Sequence, residues 1–377
     1  MKFPIDEIWV DPDVVSHELT SQIISRCPES RIVTGPDCKT AARKLELEAD
    51  PFRRGKRIIR LLRHKGAFVK PCPGTKEYVC CNLEILHIGQ GCPMDCRYCA
   101  LQFYFNRPVM EVFVNHDDML GELDDYCQSS VKSFHRFCTG EFTDSLALDS
   151  LTGLSSRLIE IIGRRNNASL EIKTKTDSVR PLLQLKPEGN IVVSFSMNSA
   201  EINRDEEIRA ATIQQRLKAA SLLEASGYRL GFHFDPIVPV GNWKESYSET
   251  ITRIFDWVSP SSVVWISLGV LRFQPALKDI VTSRFGPLDY FHDAFNPGLD
   301  GKSRLFVSRR IDVYRFLTDR IRSISPEARI YLCMESPEVW QDALGIQMNS
   351  SQELSDYLDG AFVTVSNEST HIRSFCK

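Results

Sequence analysis

Three cysteines stand close together in Gly89-Gln-Gly-Cys92-Pro-Met-Asp-Cys96-Arg-Tyr-Cys99-Ala-Leu-Gln102. Gaps of three and then two residues let a wrapping loop aim Cys92, Cys96 and Cys99 at one point. Three thiolates can hold three irons of a cubane [4Fe–4S] cluster and leave the fourth iron open to a chelating small molecule. Two other readings of the triplet exist. Structural zinc needs a fourth ligand at closed tetrahedral spacing, which Cys72, Cys80 or Cys81 could supply. Zinc sites usually show two Cys-x2-Cys knuckles, however, and only Cys96/Cys99 forms one here. Buried, inert thiols are the other reading. The chain has 12 cysteines in 377 residues and opens on Met1-Lys-Phe-Pro-Ile-Asp, without the apolar core of a signal peptide. The expectation is therefore a cytoplasmic protein whose thiols are reduced and serve ligation or catalysis rather than disulfides.

Further polar residues cluster where short apolar runs end. Cys138-Thr-Gly140-Glu141-Phe-Thr143-Asp144 follows one such run, and an acid with exposed backbone there suits an ammonium group. The plainer reading is a helix N-cap at Thr143 or Asp144. Lys173 and Lys175 share one face of the next run, Ser196 and Asn198 close a third, and His233 and Asp235 close a fourth. Ordinary exposed lysine, turn-forming Asn and a satisfied strand-end Asp are the bland alternatives.

With these motifs in hand, the sequence resembles the radical S-adenosylmethionine (SAM) superfamily, and within it the spore photoproduct lyase family and its DNA repair photolyase-like relatives, over roughly residues 65–335. The resemblance implies a [4Fe–4S] cluster on Cys92, Cys96 and Cys99 and SAM chelated at the open iron. One electron then cleaves SAM to a 5′-deoxyadenosyl radical. It also implies that Gly140, Glu141, Thr143 and Asp144 grip the methionine end of SAM and that Lys175 reaches its carboxylate. Ser196 and Asn198 then contact the ribose or methionine, and Asp235 edges the adenosine pocket with His233. Arg216 and Glu207 match charged positions around the same cofactor with weaker specificity. Two positions depart from the family. Glu141 stands where the lyases carry a hydrogen-donating cysteine, which leaves Cys138, three residues earlier, as the candidate donor. Tyr98 precedes the last cluster cysteine as in the family, but Ala100 replaces the relay tyrosine that follows it.

The substrate is less legible. Gly301-Lys302-Ser-Arg304-Leu-Phe306-Val-Ser-Arg309-Arg310-Ile-Asp-Val-Tyr314 mixes cations and aromatics, as phosphate and base contacts require, and equally reads as an amphipathic helix running to Ile321. Three functions stay open: a carbon–carbon lyase acting on a nucleic acid, such as a thymine photolesion in DNA repair; the same chemistry on a small molecule, peptide or RNA base; and a zinc-bearing nucleic-acid-binding module. The first two require an electron donor such as flavodoxin or ferredoxin. Oligomeric state is not encoded legibly.

The elements that must carry these residues form a regular alternation. β-rich runs occur at Leu83–Ile88, Val131–Phe137, Leu170–Thr174, Ile191–Ser196, Leu230–Asp235 and Val263–Leu268, with a further run near Arg329–Cys333. Helical periodicity separates them, most clearly over Ile213–Ser226 with Gly227 as its stop. The fold class expected is α/β, a partial (β/α)6 radical SAM barrel with a small N-terminal α/β subdomain. The expected division is 1–78 as an N-terminal cap, 79–340 as the barrel and 341–377 as an irregular extension. Within the cap, a strand over Glu7–Asp11 and a helix around 17–26 precede a basic helix over 51–71, which holds eight Lys/Arg and no acid. Lys70–Thr75 reads as a turn or linker. Net charge is only −3 and no window is apolar enough to span a membrane, so bulk electrostatics favour neither nucleic acid nor lipid.

Overall fold

The computed structural model describes residues 3–129 and 132–362. The first strands in the chain are β1 (Glu7–Val10), β2 (Arg31–Thr34), β3 (Ile58–Leu62), β4 (Val69–Pro71), β5 (Glu84–Leu86), β6 (Gly89–Gln90) and β7 (Met110–Phe113). Five of them make one sheet in the order β2-β1-β3-β7-β6, parallel except for β6. The helix expected around 17–26 spans Glu18–Arg26.

The basic segment 51–71 is not one helix. It is a short helix, Pro51–Gly55, followed by β3 and β4. The reason lies in Ile58, Ile59 and Leu61: β3 sits between β1 and β7 and buries both faces, which an amphipathic helix could not do. The cations within and beside it are paired, Arg57 with Asp6, Arg60 with Asp11 and Arg63 with Asp118. The expected linker at Lys70–Thr75 is likewise partly strand. Pro71 is tolerated because β4 is an edge strand, antiparallel to β5.

The second sheet continues with β8 (His135–Thr139), β9 (Ala168–Thr174), β10 (Ile191–Ser196), β11 (Arg229–Ile237) and β12 (Val263–Val270). After a small antiparallel sheet of β13 (Arg272–Phe273), β14 (Phe295–Pro297) and β15 (Ser303–Leu305), it ends on β16 (Ile330–Leu332). The order β16-β12-β11-β10-β9-β8-β5-β4 is parallel from β16 to β5. This is a partial barrel built from the six anticipated runs plus the one near 329–333. Val131, where one run was expected to begin, lies outside the described residues. Among the described residues the edge strands β4 and β16 do not pair with each other; Val79 N–H donates to Glu335 O at 2.9 Å near that side.

The crossover helix Ile213–Ala225 begins at a capping box between Thr212 and Gln215, and Gly227 follows it at φ +88°. Ile213, Leu217, Ala220 and Leu223 are buried as their spacing predicts, but so is Arg216. The C-terminal stretch, expected to be irregular, carries two helices followed by a turn at 360–362. Pro337–Leu344 ends at Gly345 in the left-handed region, and Ser350 caps Ser351–Asp359. Their buried Val339, Trp340, Leu354 and Leu358 join the main core. Among the described residues no helix is long and apolar enough to cross a membrane.

Candidate active site

The cysteine loop leaves β5 and β6 through Gly91, whose φ of +79° and close approach to Met110 Cα and Val109 O suit a residue without a side chain. The loop is clamped from several sides. Lys56 Nζ donates to Cys92 O at 2.9 Å, Asp95 N–H to Ile208 O at 3.0 Å and Arg97 N–H to Glu206 O at 2.9 Å. Gln102 Nε2 reaches back to the carbonyls of Cys96, Arg97 and Cys99. Cys92, Cys96 and Cys99 are all free; Cys96 is buried and the other two are half-buried. Burial pushes the Cys92 thiol up to about 12 and Cys96 well above its usual range, and the neighbouring thiols add to both shifts. Among the described residues no three His, Cys, Asp or Glu side chains converge on a single metal ion. The three thiols lie near enough to raise one another's pKa, and a Cys-x3-Cys-x2-Cys donor set suits a cuboidal cluster, whose separate irons each take one thiolate.

Glu207 joins this loop to the barrel. Its carboxylate is fully buried and accepts from the Tyr98 hydroxyl, from Arg216 Nη2, from Lys175 Nζ at 3.2 Å and from Asn203 Nδ2 at 3.0 Å. Burial alone would raise the Glu207 pKa; Arg216 and Lys175, with the bonds from Tyr98 and Asn203, hold it well below the usual carboxylate range. Lys175 Nζ also lies 5.6 Å from the centroid of the Tyr98 ring. Burial and Glu207 push the Tyr98 hydroxyl well above its ordinary pKa, so Tyr98 is protonated. Tyr98, Lys175, Glu207 and Arg216, scattered over more than a hundred positions, therefore meet at one buried carboxylate.

The end of β8 is built differently from its N-cap reading. Gly140 has φ +94°, and a Cβ there would stand 2.8 Å from Ser145 Oγ and 2.9 Å from Lys173 O. Asp144 is buried and its carboxylate accepts from Leu146 N–H (3.0 Å), Ala147 N–H (2.9 Å), Thr174 Oγ1 (2.9 Å) and Lys175 N–H (2.7 Å). It ties the turn after β8 to the end of β9; the next helix begins only at Asp149. Thr143 lies half-buried between them. Glu141 is partly exposed and faces Lys173 Nζ at 3.3 Å.

The barrel lumen is polar. Cys138 pairs in register with Glu171, so both side chains lie on the same face of the sheet. Glu171 Oε1 accepts from Ser194 Oγ (2.5 Å), His233 Nε2 (2.7 Å) and Trp265 Nε1 (2.8 Å), while Oε2 has no partner among the described residues. Against burial, His233 and Lys173 lower the Glu171 pKa to about 2. Cys138 is fully buried beside Lys173, and burial raises its pKa far enough to keep the thiol protonated. Asp235 is held by Arg272 at 3.2 Å through both oxygens, and Arg272 Nη2 touches Cys333 Sγ at 3.3 Å. Asn198 is engaged by Pro236 O, Ser199 N–H and the Tyr247 hydroxyl, and Ser196 is half-buried with its carbonyl accepting from Arg216.

Sequence reasoning missed Glu171 and Arg272 and gave Glu207 little weight. The signal for Glu171 was present: Glu and Lys alternate within the otherwise apolar Leu170-Glu-Ile-Lys-Thr174. Conversely, the cationic-aromatic stretch 301–314 is mostly satisfied internally. Arg304 pairs with Asp300 and lies 4.2 Å above the Tyr78 ring, while Arg310 and Tyr314 both bind Glu335. The helix of that stretch spans Val307–Ile324.

A family model described as spore photoproduct lyase matches residues 4–289. The spore photoproduct lyase of Geobacillus sp. (strain Y412MC61) is 29% identical over 202 residues, covering 52% of this chain and 59% of that protein. That of Bacillus subtilis (strain 168) is 30% identical over 199 residues, covering 52% and 58%. The matched stretch thus spans about three-fifths of the length of these relatives. Among solved structures, a cysteine-to-alanine variant of spore photoproduct lyase with dinucleoside spore photoproduct superposes with a TM-score of 0.78 at 22% identity, covering 88% of this chain and 100% of that one. A double variant with bound AdoMet and dinucleoside spore photoproduct superposes with a TM-score of 0.75 at 22% identity and the same coverage. At these identities the likeness establishes the fold.

Proposed function

The chain belongs to the spore photoproduct lyase family, and from that membership we propose that it is a radical SAM enzyme acting on a nucleic-acid photolesion. When bound, the [4Fe–4S] cluster and SAM supply a 5′-deoxyadenosyl radical that abstracts hydrogen from the substrate and triggers carbon–carbon scission. Cys92, Cys96 and Cys99 hold the cluster. Lys175, positioned by Glu207, offers its ammonium to the SAM carboxylate. Gly140, Glu141 and Thr143 face the amino group, while Ser196 and Asp235 border the ribose and adenine. Asp144 and Asn198 act by positioning, since their polar atoms already bind the protein.

The observation that carries this reading is the junction at Glu207: the cysteine loop, through Tyr98, and the end of β9, through Lys175, share one buried carboxylate. A cluster on the loop and a cofactor on the strand end therefore have a common wall. Cys138 is the proposed hydrogen donor to the product radical. Its S–H bond breaks as a C–H bond forms, and its lumen-facing, protonated thiol supports that role. Glu141, ion-paired with Lys173, carries no weak X–H bond to give. Flavodoxin or ferredoxin is the proposed electron source, and a reducing, cytoplasmic setting suits the free cysteines.

Anaerobic incubation with dithionite, SAM and dinucleoside spore photoproduct tests the reading. Lesion reversal together with 5′-deoxyadenosine is expected. 5′-Deoxyadenosine without reversal would shift the assignment to the second reading, the same chemistry on another substrate. The Glu141–Lys173 ion pair at the family's donor position favours that second reading.

A further inference from the structure

A cavity of about 430 Å³ opens on the flank of the cysteine loop, walled by Arg53, Arg57, Arg97 and Arg209 with Asp95 and Phe285. Four guanidiniums face one carboxylate there, in a chain whose net charge is −3. That carboxylate is already committed, because Arg284 Nη2 holds both Asp95 oxygens at 3.1 and 3.0 Å. Arg57 pairs with Asp6, and Arg97 stands 3.7 Å from Glu206. Arg53 and Arg209 have no carboxylate within ion-pair distance among the described residues. Arg209 is half-buried at φ +61°, a conformation that side-chain-bearing residues rarely adopt. Burial, with Arg57 and Arg53 nearby, lowers its pKa against the opposing effect of Asp95. A half-buried cation in a rare backbone conformation, with other cations around it and no carboxylate at ion-pair distance among the described residues, has the chemistry that suits an anion.

The position of the cavity says which anion. Asp95 and Arg97 line it from either side of Cys96 in the chain, and their backbone N–H groups are bonded to Ile208 and Glu206, the segment that carries Arg209. Lys56, next to Arg57, holds the carbonyl of Cys92. None of the lumen groups Cys138, Glu171, Lys173 or Asp235 takes part. A group bound here lies one residue from a cluster ligand and outside the substrate lumen. We infer that this arginine pocket docks the acidic surface of a small low-potential electron-carrier protein, delivering one electron through the cysteine loop. The carrier is oxidised by one electron, the cluster is reduced by one, and no proton moves. The inference rests on the radical SAM reading and adds where the reductant binds.

The test titrates the purified full chain with FMN-loaded flavodoxin at low and high ionic strength, using wild type, Arg53→Glu and Arg209→Glu. Each reversal is expected to weaken binding about tenfold or more at low ionic strength, with the difference shrinking at high salt. SAM cleavage driven by dithionite should be equal in all three proteins. Unchanged affinity in both variants overturns the docking site. So does loss of affinity for a duplex oligonucleotide with carrier binding intact, which would reassign the pocket to nucleic-acid phosphate. Arg53 is exposed on a short helix, so its variant reports even where Arg209→Glu perturbs the loop. A wild-type protein that binds flavodoxin but cleaves no SAM with dithionite would refute the parent function and leave the docking site standing.

Discussion

Replacing Glu207 with Gln removes the single negative charge at the junction of loop and barrel. Arg216, whose side chain is 0% exposed, then keeps its charge in the interior with no counter-ion beside it. Stranding one member of a buried ion pair costs about 3–5 kcal/mol. With an unfolding entropy of roughly 2.1 cal/mol/K per residue, 377 residues amount to about 0.8 kcal/mol/K, so the melting midpoint should fall by about 4–6 °C. Differential scanning calorimetry on wild type, Glu207→Gln, Arg216→Met and the double variant measures this directly. Because the two groups act on each other, the double variant should melt little below the worse single one, a coupling of at least ~2 kcal/mol. An unchanged midpoint in Glu207→Gln, or strictly additive losses, would refute the claim that this carboxylate organises the site. The charge also predicts a pH response. The folded carboxyl titrates below its unfolded range, so its stabilisation is full above pH ~4.3 and fades as the pH falls further.

Alanine at Cys92, Cys96 or Cys99 should each abolish the iron–sulfide content and brown colour of anaerobically purified protein; retention of both in any one variant would remove that residue from the ligand set. Gly140→Ala should destabilise by roughly 1–3 kcal/mol, from its positive φ and its collision with Ser145 and Lys173, and a denaturant midpoint equal to wild type would contradict the turn geometry. His87 is 5% exposed, and burial with Lys70 nearby lowers its pKa to about 3. The unfolded chain therefore takes up this proton first: stability is full above pH ~6.5 and drains away toward pH 3, by about 2 kcal/mol at pH 5 at 1.36 kcal/mol per unit. His87→Phe should lose less than wild type between pH 7.5 and 5 in thermal melts, and parallel losses would refute the assignment.

The strands of the barrel and the cysteine triplet were legible from local order. A run such as Ile191-Val-Val-Ser-Phe-Ser196 has few alternatives to a buried parallel strand, and the Cys-x3-Cys-x2-Cys loop places its proposed ligand set within eight residues. The basic stretch 51–71 misled for a nonlocal reason. Its isoleucines and leucines match one helix face by spacing alone, and only the neighbours β1 and β7 make β3 a central strand. The same holds for the polar groups. Nothing near Glu207 in sequence reveals that Tyr98, Lys175 and Arg216 converge on it, and nothing near Arg304 reveals that Asp300 and Tyr78 satisfy it. By itself, then, the sequence determined which segments can be barrel strands and which cysteines are spaced as candidate cluster ligands, because both depend on spacing along the chain. Tertiary structure decided which charges are paired in the interior and which, like Arg53 and Arg209, have no carboxylate at ion-pair distance among the described residues, because burial and Coulomb energy depend on distance through space.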